Sequence, residues 1–120
     1  MTTIRSHRDL HVWRKGMDLV EAVYAMTRTF PADERFRLVN QATRAAVSVP
    51  ANIAEGHSRA TRRDYANFVA IARGSLMELE TYVTIATRLG YVSSDATLDL
   101  HARIEEISRM LTSLRKRLLE

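Results

Sequence analysis

The sequence contains no cysteine. That excludes disulfide cross-links, thiolate metal sites and a cysteine nucleophile, and with them the usual framework of a small exported domain. No apolar run approaches the ~20 residues that a membrane-spanning helix needs. The first residues, Met1 to Arg8, are polar and basic rather than a charged start followed by an apolar stretch, so no secretory signal is expected. A cytoplasmic protein is the expectation, with no membrane partner. Lysine is scarce as well: of 18 Lys and Arg residues, only Lys15 and Lys116 are lysine. The positive charge therefore sits on guanidinium groups, whose planar fork suits phosphate oxygens. An arginine-rich codon usage accounts for the same bias without any function.

What remains is 120 residues with 46% hydrophobic content, enough for one core and too few for two ordinary domains. One domain over 1–120 is expected. Two prolines and Gly90 punctuate the chain, and the stretches between them carry helical rather than alternating apolar spacing. The expected helices span roughly 8–29, 33–56, 61–89 and 94–119. The first has two apolar stripes, Leu10, Trp13, Met17, Val20, Tyr24 and Thr27 beside Val12, Leu19, Val23, Met26 and Phe30, which implies burial on two sides.

Asp33 is the expected N-cap of the second helix, with Glu34 in its first turn. Its stripe runs through Phe36, Val39, Ala42, Ala46, Val49 and Ile53, a kink is expected at Pro50, and Gly56 is the expected stop. Thr61 caps the third helix, Ser58 being the rival; its stripe is Tyr65, Val69, Ala72, Leu76, Leu79, Val83 and Ala86, ending at Gly90 and Tyr91. Ser93 or Ser94 starts the fourth, with Leu100, Ile104, Ile107, Leu111, Leu114 and Leu118 inward. Four helices on short connections predict an all-α, antiparallel, up-down-up-down bundle.

That topology sorts the charge. One end of the rod collects Arg5, Arg8, Arg14, Lys15, Arg59, Arg62, Arg63, Arg109, Arg115, Lys116 and Arg117 against only Asp9, Glu55, Asp64 and Glu120. At the other end Arg28, Arg35, Arg37 and Arg88 balance Asp33, Glu34, Asp95 and Asp99. The net charge of +4 conceals this polarity. A basic end of this kind binds phosphate backbone by releasing condensed counterions. The competing reading is that the last cations only complement the dipole of the fourth helix and the rest form a solvated face. No recognition-helix, zinc-finger or RNA-recognition sheet pattern is present, so base-specific reading is not implied.

For catalysis the sequence offers no nucleophile–base–orienter set and no glycine-rich phosphate loop. Catalytic residues and cofactors are expected to be absent. The Glu-x-x-His pairs of metal-binding bundles are missing. His7 and His11 with Asp9, and His101 with Glu105, have one-turn spacing but too few ligands for a metal site. Arg44, Ser48, Asn52 and Glu55 form a polar stripe along the second helix. Glu78 and Glu80 are candidate ion-pair partners for Arg44, and Ser48 or Asn52 candidate donors to the carbonyl freed by Pro50. A structural network or subunit contact is the expectation for these six residues. Ala42, Ala45 and Ala46 add small residues for close helix approach, a second sign of oligomerisation.

The run Arg44-Ala45-Ala46-Val47-Ser48-Val49-Pro50-Ala51-Asn52-Ile53-Ala54-Glu55-Gly56, then Arg59, then Gly74-Ser75-Leu76-Met77-Glu78-Leu79-Glu80-Thr81, resembles the family of four-helix-bundle proteins encoded within intervening sequences of bacterial 23S rRNA genes. The likeness extends from the helix holding Trp13 to Leu89-Gly90-Tyr91 and the last helix. It implies a bundle that assembles as a ring, commonly a pentamer, in the bacterial cytoplasm. It also implies kinship with the accessory protein of diversity-generating retroelements, a basic ring associated with nucleic acid and a reverse transcriptase. Arg44, Ser48, Pro50, Asn52, Glu55 and Gly56 match the family signature, to which no catalytic role attaches. Charge and resemblance together predict a non-enzymatic homo-oligomer that binds RNA, or less favourably DNA, through its basic end. The alternative is a protein-interaction scaffold, with a reverse transcriptase as partner if the gene lies in a retroelement.

Overall fold

The computed structural model describes residues 3–120. Its α-helices are α1 (His11–Thr27), α2 (Leu38–His57), α3 (Arg62–Arg88) and α4 (Leu98–Leu118), with 3-10 turns at His7–Asp9, Ala32–Glu34 and Asp95–Thr97. No strand occurs among the described residues, and none of their helices is long and apolar enough to cross a membrane. The shape is a rod of 43 × 26 × 21 Å.

α3 follows its sequence pattern most closely. Val69, Ala72, Leu76, Leu79, Val83 and Ala86 are fully buried, each large one worth ~1.5–3 kcal/mol for leaving water. Its start is fixed by Thr61, whose Oγ1 accepts from the Asp64 N–H at 3.1 Å. At its end Gly90 takes φ +79°, and the Tyr91 N–H donates to Ala86 O at 3.0 Å. A left-handed residue followed by that long return bond is a Schellman ending, which glycine makes without Cβ strain. In α4, Leu100, Ile104, Ile107 and Leu111 are buried, while Leu114 and Leu118 only flank the core.

Three helix starts and one stop differ from expectation. α1 begins at His11 rather than Arg8, because Ser6 and Asp9 close a capping box around the preceding turn and Leu10 is extended (φ −82°, ψ 126°). α2 begins at Leu38 rather than Asp33: Asp33 and Glu34 belong to the separate turn Ala32–Glu34, and Arg37 has non-helical dihedrals. Phe30 and Leu38 both pack on Ala86, Tyr91 and Val92, so the chain must turn twice between them and Phe36 is left 83% exposed. α4 is preceded by its own turn, where Ser93 Oγ accepts from the Ala96 N–H at 3.1 Å. Gly56 does not stop α2; it is buried within it.

The reason lies across the helix interface. A Cβ on Gly56 would sit 2.8 Å from Phe68 Cβ and 2.9 Å from Tyr65 Cδ1, so only glycine lets the end of α2 touch the start of α3 this closely. Likewise Gly16, near the start of α1, faces Pro50, late in α2, with a Cβ position 3.4 Å from Pro50 Cβ. Arg62, at the start of α3, donates to the carbonyls of Arg117 and Leu118 at the end of α4. Each contact joins one helix's start to a neighbour's end, as antiparallel neighbours require. The buried cluster draws on all four helices, and α2 contributes its smallest face to it: Ala42, Ala45, Ala46, Val49 and Ile53. These alanines therefore serve approach within the chain rather than contact between subunits.

Gly56→Ala is expected to lower stability by about 1–3 kcal/mol through overpacking. Gly74→Ala, whose Cβ would meet nothing within 4 Å, is expected to raise it by about 0.5–1 kcal/mol through helix propensity. Urea unfolding midpoints of the two variants check both signs; a neutral Gly56→Ala contradicts the close approach.

Candidate nucleic-acid interface

The polar stripe of α2 forms a real network, though a smaller one than expected. Ser48 Oγ and Ser75 Oγ share a hydrogen bond of 2.8 Å between α2 and α3. Asn52 Nδ2 lies 2.8 Å from both the hydroxyl and the carbonyl of Ser48. Ser75 can also donate to Ile71 O at 3.2 Å. Asn52 thus serves the Ser48 carbonyl, and no side chain among the described residues donates to Ala46 O, the carbonyl that Pro50 frees. Arg44 makes no ion pair with Glu78 or Glu80; all three are exposed. Glu55 instead pairs with Arg59 one turn on, at 2.6 Å. Ser48, Asn52 and Ser75 fix the register of α2 against α3, and the charged members of the stripe stand in solvent.

The start of α1, the α2–α3 turn and the end of α4 do come together, and the structure divides their cations into two sets. On one side four cations have partners. Arg14 approaches Asp9 at 3.9 Å and donates to Arg8 O at 2.8 Å. Lys15 pairs with Glu106 at 2.7 Å, and the bond holds the Glu106 carboxyl below its ordinary pKa. Arg109 pairs with Glu105 at 2.6 Å. Arg59, besides its bond to Glu55, lies 4.7 Å above the Phe68 ring centroid, a cation–π contact. Exposed pairs like these add little stability, but each spends a positive charge locally.

On the other side, at the corner of α3 and α4, stand Arg62, Arg63, Arg73, Arg115 and Lys116, while Arg117 lines the groove between the start of α1 and α4 with Asp9 and Arg109. None of them has a carboxylate within 4 Å among the described residues. Arg62 is structural, since its bonds to the last carbonyls of α4 place a cation at the negative end of that helix dipole. The remaining four are uncommitted. They surround two adjoining open concavities: one of about 450 Å³ lined by Arg73, Thr112, Arg115 and Lys116, and one of about 510 Å³ lined by Arg62, Arg63, Asn67 and Arg115. The acids nearby are Glu120, which lines both, and exposed Asp64.

Arg73 was not among the residues the sequence singled out, because a tally by bundle ends does not reach mid-helix. The signal was there in the spacing: Arg63, Asn67, Ala70 and Arg73 step by four, three and three, which is one helix face. Arg5 and Arg8 are exposed near the start of α1, away from that corner. His7 packs edge-on against Trp13 with ring centroids 5.0 Å apart and is not gathered with other ligands. No group of three His, Asp or Glu side chains able to hold a metal ion occurs among the described residues.

The geometry defines an α-helical bundle with one uncompensated basic corner and a polar register lock between its second and third helices. The chain belongs to the family of 23S rRNA-intervening sequence proteins, whose family model matches residues 8–113. Among solved structures it is similar to a protein of unknown function from the S23 ribosomal protein family of Bacteroides thetaiotaomicron. The two share 23% identity and a TM-score of 0.81 over 88% of this chain and 98% of that one, which establishes the common fold. Comparison with curated proteins found no match.

Asp9 anchors the segment that carries Arg5 and Arg8. Its Oδ2 accepts from the Arg5 N–H at 2.8 Å and the Ser6 N–H at 3.2 Å. These bonds, chiefly that from Arg5 and helped by the charge of Arg14, hold its carboxyl below the ordinary value of 3.8. A carboxyl depressed in the folded state contributes order that is present above its unfolded pKa and lost as pH falls through its folded one. The Arg5 and Ser6 amide NMR signals are therefore expected to titrate together with a midpoint below 3.8, and Asp9→Asn to abolish that titration. A midpoint at or above 3.8 contradicts the capping box.

Proposed function

We propose that this chain is a non-enzymatic, oligomeric cytoplasmic protein that binds nucleic acid, RNA in preference to DNA, through the α3–α4 corner of its basic end. The observation that carries the reading is the cluster of Arg63, Arg73, Arg115 and Lys116 around two open concavities, without a carboxylate partner within 4 Å among the described residues. Uncompensated guanidinium groups on a concave surface are electrostatically costly to hold together and favour a polyanion. The preference for RNA rests on membership of a family described by 23S rRNA. With no base-reading element, recognition is of backbone and shape.

Assembly is part of the proposal. The outer stripe of α1 leaves Met17 and Tyr24 42% and 49% exposed, an apolar face beyond what the chain's own core covers. In a ring, commonly of five subunits as the family resemblance implies, each weak phosphate contact is repeated and gains avidity. The same exposed face favours the second reading, a scaffold for a partner protein such as a reverse transcriptase, with charge serving solubility.

The test uses residues that hold nothing else in place. Arg59 and Arg62 are tied into the fold by Glu55, Phe68 and the α4 carbonyls, so reversing them confounds binding with stability. Arg63→Glu with Asn67→Glu, both exposed at the corner, is expected to weaken binding to a structured RNA by about tenfold or more at ~50 mM salt, with the mass by light scattering unchanged from the wild type. Unchanged affinity in a correctly assembled double variant favours the scaffold.

A further inference from the structure

Arg73 and Arg115 face each other across the α3–α4 groove in an unusual state. The Nε of each is shielded from solvent and has no hydrogen-bond partner among the described residues. Both side chains line the same concavity, with Lys116 beside them. A buried donor left unmade costs about 1–3 kcal/mol, and more when charged, and two guanidinium groups at one groove add mutual repulsion. Among the described residues no acceptor reaches either Nε, and the Glu120 carboxylate stays beyond 4 Å of both arginines. Both guanidinium groups border an open concavity, and an oxyanion seated there offers them acceptors together with the countercharge that water lacks. Tetrahedral phosphate meets the forks of two arginines and the ammonium of a lysine at once.

We propose that this groove is a discrete seat for one phosphate group, held between Arg73 and Arg115 with Lys116 at its rim. The inference deepens the nucleic-acid reading of the same corner and rests on it for the source of the phosphate. It differs in kind, since a seat saturates, whereas a charged face only attracts. The packed arginine stems preorganise the two cations, so the seat binds a phosphate carried on a nucleotide more tightly than exposed Arg63 or Arg117 does. The phosphate is either the 5′-terminal monoester of a strand or a diester within it, chemistry the groove treats alike.

The experiment follows the arginine Nε–H NMR signals of the full chain during titration with inorganic phosphate at constant ionic strength. It is repeated with a trinucleotide bearing a 5′-phosphate and with its 5′-hydroxyl counterpart. The expected result is a saturating shift at Arg73 and Arg115 while Arg28 and Arg88, at the far end, move little. Arg73→Gln is expected to weaken phosphate binding at least tenfold. Lys116→Gln, an exposed change that leaves the fold alone, is expected to weaken it several-fold. Saturation by the 5′-phosphorylated strand alone assigns a terminal monoester; saturation by both strands assigns the backbone. Shifts that stay linear, or that are shared equally by all arginines, overturn the seat. They leave the wider proposal standing if Arg63→Glu with Asn67→Glu still loses RNA. Conversely, a saturating phosphate response in a protein that binds no RNA keeps the seat and removes the nucleic acid.

Discussion

The close approach of α2 to both of its neighbours sets everything else in the molecule. Gly56 brings the end of α2 against Tyr65 and Phe68, and Pro50 meets Gly16 of α1, so the second helix touches each neighbour through a glycine on one side of the contact. Two helices at that separation cannot slide past one another without a clash, and their register is fixed by sterics before any polar group contributes. Ser48 then falls opposite Ser75, where a 2.8 Å hydrogen bond is possible. With α2 and α3 locked, the tight turn between His57 and Arg62 sets where α3 begins. That places Arg62 over the last carbonyls of α4.

The same register sorts the charges. Where α1 meets α4 and α2 meets its own turn, acids lie within reach and the cations are compensated: Lys15 by Glu106, Arg109 by Glu105, Arg59 by Glu55. Where α3 meets α4, the facing positions are Arg63, Asn67, Arg73, Thr112, Arg115 and Lys116, and the acid that lines the same concavities, Glu120, makes no ion pair with any of them. Net charge alone does not distinguish these two sides. The distinction lies in which positions share a groove, which follows from helix packing.

The helical content and the inward faces of α3 and α4 were legible in the sequence because both helices are long and their burial repeats without interruption. Gly90 with Tyr91 was legible as well, since a left-handed turn leaves few other residues possible. The starts of α1 and α2 were not, because in each case a short turn precedes the helix and only tertiary packing decides it: of Phe30 and Leu38 on Ala86 in one case, and the Ser6–Asp9 box in the other. Gly56 looked like a stop signal and is an interhelical contact, a difference local pattern does not encode. Arg44 looked paired and stands in solvent, because spacing along one helix says nothing of which neighbour lies opposite. The basic end was visible as a cluster, but its division into compensated and uncompensated halves, and the part played by Arg73, needed the groove.

The account is tested most directly by the salt dependence of RNA binding by the unmodified protein. If the uncompensated corner is the working surface, the logarithm of the association constant falls linearly with that of salt concentration. Each phosphate contact on a single strand contributes ~0.7 to the slope, so three to five contacts from the corner give a slope of about −2 to −4. A slope near zero, or no binding at low salt, would contradict the account and leave the corner without a polyanionic partner.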